Sequence, residues 1–114
     1  MTARDALQRD LALAMTEAEL QQNVIDMAHA LGWLVSHARP ARTAHGWRTA
    51  TQGDRGAPDL LLARRGVVLH VELKAERGRL SVEQEQWQDA MGRFNGAWRP
   101  RSYTVWRPST WLDG

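Results

Sequence analysis

At 114 residues, 43% hydrophobic and 25% charged, the chain has the composition of one small globular domain. No apolar run reaches the roughly 18 residues of a membrane span, no signal-peptide core is present, and the lack of cysteine excludes a disulfide framework or a cysteine-ligated zinc site. The expectation is a cytoplasmic protein with no membrane partner (host cytoplasm if phage-encoded). The formal net charge of +2 is unevenly spread. Residues 1–31 carry two Arg against five acids, whereas residues 32–71 carry six Arg against Asp54 and Asp59 alone. Such a basic middle suits a phosphate-binding face beside a metal site, and equally an Arg-rich chain with solvated loops.

Residues 1–15 carry Leu7, Leu11 and Met15 at helical spacing and read as an N-terminal arm or an extra helix. The stretch after them is clearer: Thr16 and Glu19 form a capping box, Leu20, Val24, Met27, Ala28 and Leu31 form an apolar stripe, and Gly32 ends the helix. Residues 33–37 (WLVSH) read as a strand. Residues 38–57, rich in Arg, Gly, Thr and Ala without periodicity, read as a long functional loop. Two strands, 58–63 and 67–74, are joined by a hairpin at Arg64-Arg65-Gly66. A second helix spans 81–94, with Ser81 as N-cap and Asn95-Gly96 as stop; a last strand at 102–106 precedes an RPSTW turn. The order α-β-β-β-α-β, with a helix between two strands that can run parallel, predicts an α/β fold with a mixed sheet flanked by helices. Residues 16–114 form that one domain.

The strand VVLHVELK alternates, so Val67, Leu69, Val71 and Leu73 share one face while Val68, His70, Glu72 and Lys74 share the other. Two charges on a mostly apolar strand are costly to bury without compensation. Asp59 opens the neighbouring strand, and hairpin pairing brings its carboxylate towards Glu72. Two carboxylates converging beside a cation suit a hard divalent metal with oxygen ligands.

The stretch GAPDLLLARRGVVLHVELKAERGRLSVEQEQW resembles the VRR-NUC family of the PD-(D/E)xK nuclease superfamily, in particular its short stand-alone phage members. GAPD is similar to that family's G-x-P-D, VELK to its E-x-K, and GRLSVEQEQW to its G-x-L-S-x-E-Q-x-x-W segment. The likeness covers most of residues 16–111. It implies a restriction-endonuclease-like core and a Mg²⁺ site (Mn²⁺ as substitute) held by Asp59, Glu72 and the main-chain carbonyl of Leu73. It also implies that Lys74 contacts the attacking water and the scissile phosphate, that Gln84 points into the site, and that Glu19 matches a glutamate beside the metal in related resolvases.

Local structure offers other roles for two of these residues. Glu19 belongs to the capping box begun by Thr16, and Gln84 lies three residues after Ser81, where a capping box also favours Gln. His70 reads as a packed neighbour of Glu72, and Trp47 as the one candidate for base stacking. The remaining tryptophans read as core. Lys74 is the only lysine among fifteen Lys plus Arg. A compact ammonium can face a water and a phosphate oxygen together and can share a proton, which a guanidinium cannot.

Together these readings lead to a Mg²⁺-dependent endonuclease. With no DNA-reading motif in one small domain, contacts to phosphates by Arg39, Arg42, Arg48 and Arg55 would dominate, favouring branched DNA such as a four-way junction. Paired cutting of a junction calls for a homodimer. The alternatives are a catalytically silent DNA-binding scaffold and a sequence-specific restriction-type endonuclease.

Overall fold

Three helices begin at a hydroxyl residue whose partner lies three positions on, so that backbone donors left over at each helix start are satisfied locally. In the computed structural model, which describes residues 2–37, 41–43, 46–48, 53–94, 97–98 and 103–112, these are α1 (Ala3–Ala14), α2 (Glu17–Ala30) and α3 (Val82–Gly92). Their cap pairs are Thr2 with Asp5, Thr16 with Glu19 and Ser81 with Gln84. A short α4 (Pro108–Leu112) starts instead on a proline, whose missing N–H costs nothing in a first turn. α2 stops at Gly32, φ +84°, with the Trp33 amide donating to Ala28 O and the Gly32 amide to His29 O, a Schellman ending.

Four strands make the central sheet: β1 (Leu34–His37), β4 (Leu60–Arg64), β5 (Val67–Leu73) and β8 (Thr104–Trp106), in the order β1-β4-β5-β8. β1, β4 and β5 are antiparallel neighbours, whereas β8 runs parallel to β5 after the α3 crossover. The sheet is thus mixed and flanked by helices. The β4–β5 turn holds Arg65 at φ 49° and Gly66 at φ 79°, the two positive values that a tight primed hairpin turn requires.

The core lies on one face of this sheet. Leu20, Val24, Ile25 and Ala28 of α2 pack on Leu60, Leu62, Val71 and Leu73, with Trp33, Leu69, Trp106 and Trp111 at its edge. Those tryptophans, like Trp87, are only half-buried, so the expectation of core tryptophans holds for none of the four in full; the Trp47 and Trp98 side chains lie outside the described residues. The expected α2 stripe is also rotated, because Ile25 is buried while Met27 and Leu31 are about half exposed.

Other expectations change in detail. The long loop at 38–57 contains two short paired strands, β2 (Ala41–Thr43) and β3 (Gly46–Arg48). α3 ends at Gly92, because Arg93–Phe94 (β6) pairs with Ala97–Trp98 (β7) on either side of Asn95-Gly96. An Asn-Gly pair marks a hairpin as readily as a helix end. The RPSTW turn contains α4, and residues 3–14 form α1, which packs on α4. Among the described residues no helix is long and apolar enough to cross a membrane.

Candidate active site

The β4–β5 register places Leu60 opposite Val71. One step further Asp59 faces Glu72, beyond the end of the regular ladder. Here the Asp59 side chain replaces a backbone partner: the Leu73 amide donates to Asp59 Oδ2 at 2.8 Å. The Leu73 carbonyl leaves the same edge of the strand as its amide, on the Asp59 side. Both carboxylates therefore sit at the C-terminal end of β5, on and beside the face opposite the core.

Glu72 is the only buried charged residue among those described, at 1% exposure. Its Oε1 accepts a hydrogen bond from Gln84 Nε2 at 2.6 Å and lies 3.9 Å from Lys74 Nζ. Its Oε2 is buried and has no hydrogen-bond partner among the described residues. Burial pushes the Glu72 carboxyl up to about 8; the negative charge of Asp59 beside it and that of Glu17 add to this, against the opposing pull of Lys74. Two neighbouring acids avoid mutual repulsion while one of them holds a proton. An ion that replaces that proton would let both carboxylates ionise.

The neighbouring segments hold this geometry. Gly56, φ +93°, lets the chain before Asp59 lie against the start of α3: a Cβ there would come within 2.7 Å of the Glu83 carbonyl carbon and 2.9 Å of Gln84 N. Trp87 Nε1 donates to Arg55 O at 2.8 Å, tying the same segment to the same helix. Gly56 and Trp87 thus bring Asp59 and Gln84 to one place. After Lys74 the turn is held by Arg107 Nη2 donating to Gly78 O at 3.0 Å and the Ser109 amide donating to Glu76 Oε2 at 2.9 Å.

Gln84 makes two contacts at once. Its Oε1 accepts from the Ser81 amide at 2.9 Å, closing the capping box, while its Nε2 holds Glu72. An amide can accept for the cap and donate to a carboxylate at once, which an ionised glutamate cannot. Glu19, by contrast, is exposed, and its carboxylate accepts from the Thr16 amide at 3.2 Å. Glu17, also exposed on the first turn of α2, lies near enough to the site to feel its charges. Partial burial and then the charge of Asp59 raise its carboxyl, against Lys74. No sequence signal pointed to Glu17, since its approach to Asp59 depends on how α2 meets the end of the sheet.

Of the expected DNA contacts, Arg39 lies outside the described residues, as do the side chains of Arg42 and Arg48 on β2 and β3. Arg55 is exposed beside Gly56. His70 stays half-buried on the face of Glu72. Tyr103, which the sequence did not single out, is buried with an unpartnered hydroxyl.

Asp59 and Glu72, with the free Glu72 Oε2, fit a small hard cation. Among the described residues no group of three or more His, Asp or Glu converges on one metal position. Such an ion would complete its shell with the Leu73 carbonyl, water and phosphate oxygens, as Mg²⁺ commonly does. Neither a family model, nor a curated protein, nor a solved structure matches this chain.

Proposed function

We propose that the protein is a Mg²⁺-dependent endodeoxyribonuclease of restriction-endonuclease-like fold and VRR-NUC type, acting on branched DNA in the manner of a junction resolvase. The observation that carries this reading is the buried carboxylate of Glu72. It stands opposite Asp59 with one oxygen free, Lys74 beside it and Gln84 bonded to it. Without a catalytic or ligand role, a buried acid beside a second acid, with one cation at 3.9 Å, is a poor structural device, because desolvation outweighs so loose an ion pair.

Asp59, Glu72 and the Leu73 carbonyl would hold the cation. Bound there, Mg²⁺ supplies charge neutralisation at the phosphate and a more acidic water. Lys74 reaches the same space from the strand end; its ammonium orients the attacking water and takes up charge on the scissile phosphate. Gln84 keeps the Glu72 carboxylate turned towards Asp59. The products expected from in-line attack are a 5′-phosphate and a 3′-hydroxyl. Arg42, Arg48 and Arg55, with Arg39, supply phosphate contacts, and a homodimer supplies two sites for a paired cut across a junction.

The test is incubation with Mg²⁺ and end-labelled four-way junction, flap, splayed arm, single strand and linear duplex. Cleavage is expected on the branched substrates. Asp59→Ala and Glu72→Ala should abolish it, since several kcal/mol of transition-state stabilisation correspond to roughly 10³-fold or more in rate. Discrete bands from linear duplex would identify a restriction-type enzyme. Binding without any cleavage in Mg²⁺ or Mn²⁺ would identify a scaffold and end the nuclease reading.

A further inference from the structure

Tyr103 has no part in the mechanism above, yet it is among the most buried side chains of the protein, at 1% exposure. Its hydroxyl finds no hydrogen-bond partner among the described residues. Glu72 Oε2 is in the same condition. The phenol is a donor lacking an acceptor, and Glu72 Oε2, once ionised, is an acceptor lacking a donor.

The strand register sets the two residues on one face of the sheet. β8 pairs with β5 in parallel, Thr104 beside Val71 and Val105 beside Glu72. Stepping back one residue sets Tyr103 beside His70, and alternation turns its ring to the face that carries His70 and Glu72. A tyrosine side chain is long enough to reach a diagonal neighbour on an adjacent strand. Consistent with this, the Tyr103 phenol is raised by burial first and then by the charges of Glu72 and Asp59, which keeps it a donor.

We propose that Tyr103 is a positioning residue of the cation site: the two atoms stand unpartnered in this structure, and once a cation holds Glu72 ionised the hydroxyl turns to donate to Glu72 Oε2. With Gln84 on Oε1 and Tyr103 on Oε2, the carboxylate is held from both sides and cannot tilt away from Asp59. A carboxylate that ligates a metal is commonly oriented in this way by outer hydrogen bonds, whose loss weakens metal binding by about 10–100-fold. In the free protein a buried, unsatisfied hydroxyl works against stability, so a purely structural account of it runs the wrong way.

This inference rests on the cation site proposed above, and Tyr103→Phe in the full chain tests it by two readings, neither of which needs DNA cleavage. Mn²⁺ affinity, measured by calorimetry, is expected to fall about 10-fold. The melting temperature of the metal-free variant is expected to equal or exceed that of the parent, because only an unsatisfied group is removed. Unchanged Mn²⁺ affinity would overturn the inference while leaving the cation site intact. A lower melting temperature, or failure to fold, would make the hydroxyl a structural group and overturn it too. If the parent protein binds no Mn²⁺, the site reading itself falls, and the inference with it.

Discussion

The starts of α2 and α3 are built by the same four-residue device and end in different work. At Thr16 and Glu19 both reciprocal bonds form, 3.1 and 3.2 Å, and the glutamate remains exposed at the surface. At Ser81 and Gln84 the same two bonds form, 3.1 and 2.9 Å, and the side chain has a donor left over. That donor reaches Glu72 because Gly56 and Trp87 draw α3 against the segment before Asp59. The comparison teaches that a cap motif decides where a helix begins, while its position on the fold and the choice of amide or acid decide whether the cap residue does more.

The largest expected effect concerns Lys74, the cation beside Glu72. Lys74→Arg keeps the charge but not the compact, proton-sharing ammonium, so cleavage should fall by roughly 10²–10⁴-fold at unchanged Mn²⁺ affinity. Single-turnover rates on a cleaved substrate would measure it; a loss of only a few-fold would reduce Lys74 to a charge that any of the fourteen arginines could replace.

Next in size is the pH dependence of the metal-free protein. Glu72 is raised from 4.5 to about 8, so the folded chain holds a proton that the unfolded chain releases between those values. Stability should therefore be full below about pH 4.5 and decline as pH rises to about 8, by a few kcal/mol at most at about 1.4 kcal/mol per pH unit. Glu72→Gln should flatten that decline in urea titrations. Saturating Mg²⁺ should reduce it in the parent, because the ion favours the ionised carboxylate.

The comparison itself is sharpened by exchanging the two cap residues. Gln84→Glu keeps the acceptor for the Ser81 amide but turns a donor into a second charge against Glu72, so Mn²⁺ affinity should change by about 10-fold or more. Glu19→Gln should leave affinity and cleavage within about two-fold. Equal effects at both positions would erase the distinction drawn between the helices. Smallest of all, Thr16→Ala and Ser81→Ala should each cost about 1 kcal/mol in thermal unfolding, since the lost caps are alike. Only Ser81→Ala should also disturb Mn²⁺ binding.

Much of this was legible in the sequence because the forces are local. A capping box is a pair of bonds three residues apart, and strand alternation follows from the pleat. Thr16-Glu19, Ser81-Gln84, Gly32 and the alternation that set Glu72 apart from Val71 and Leu73 therefore stood in the chain itself, as did Asp59 opposite Glu72 once a hairpin was read at Arg65-Gly66. Short paired segments such as Ala41–Thr43 with Gly46–Arg48 were missed, since they bury too little to leave a period. What only the tertiary structure decided are the meetings of residues far apart in sequence: the charge of Glu17 near Asp59, Gln84 on Glu72, the Trp87 bond to Arg55, and the burial of Tyr103 near Glu72. Each depends on β8 lying beside β5 and on α2 and α3 closing on the end of the sheet, arrangements set by burial of the whole core rather than by any neighbouring pair of residues.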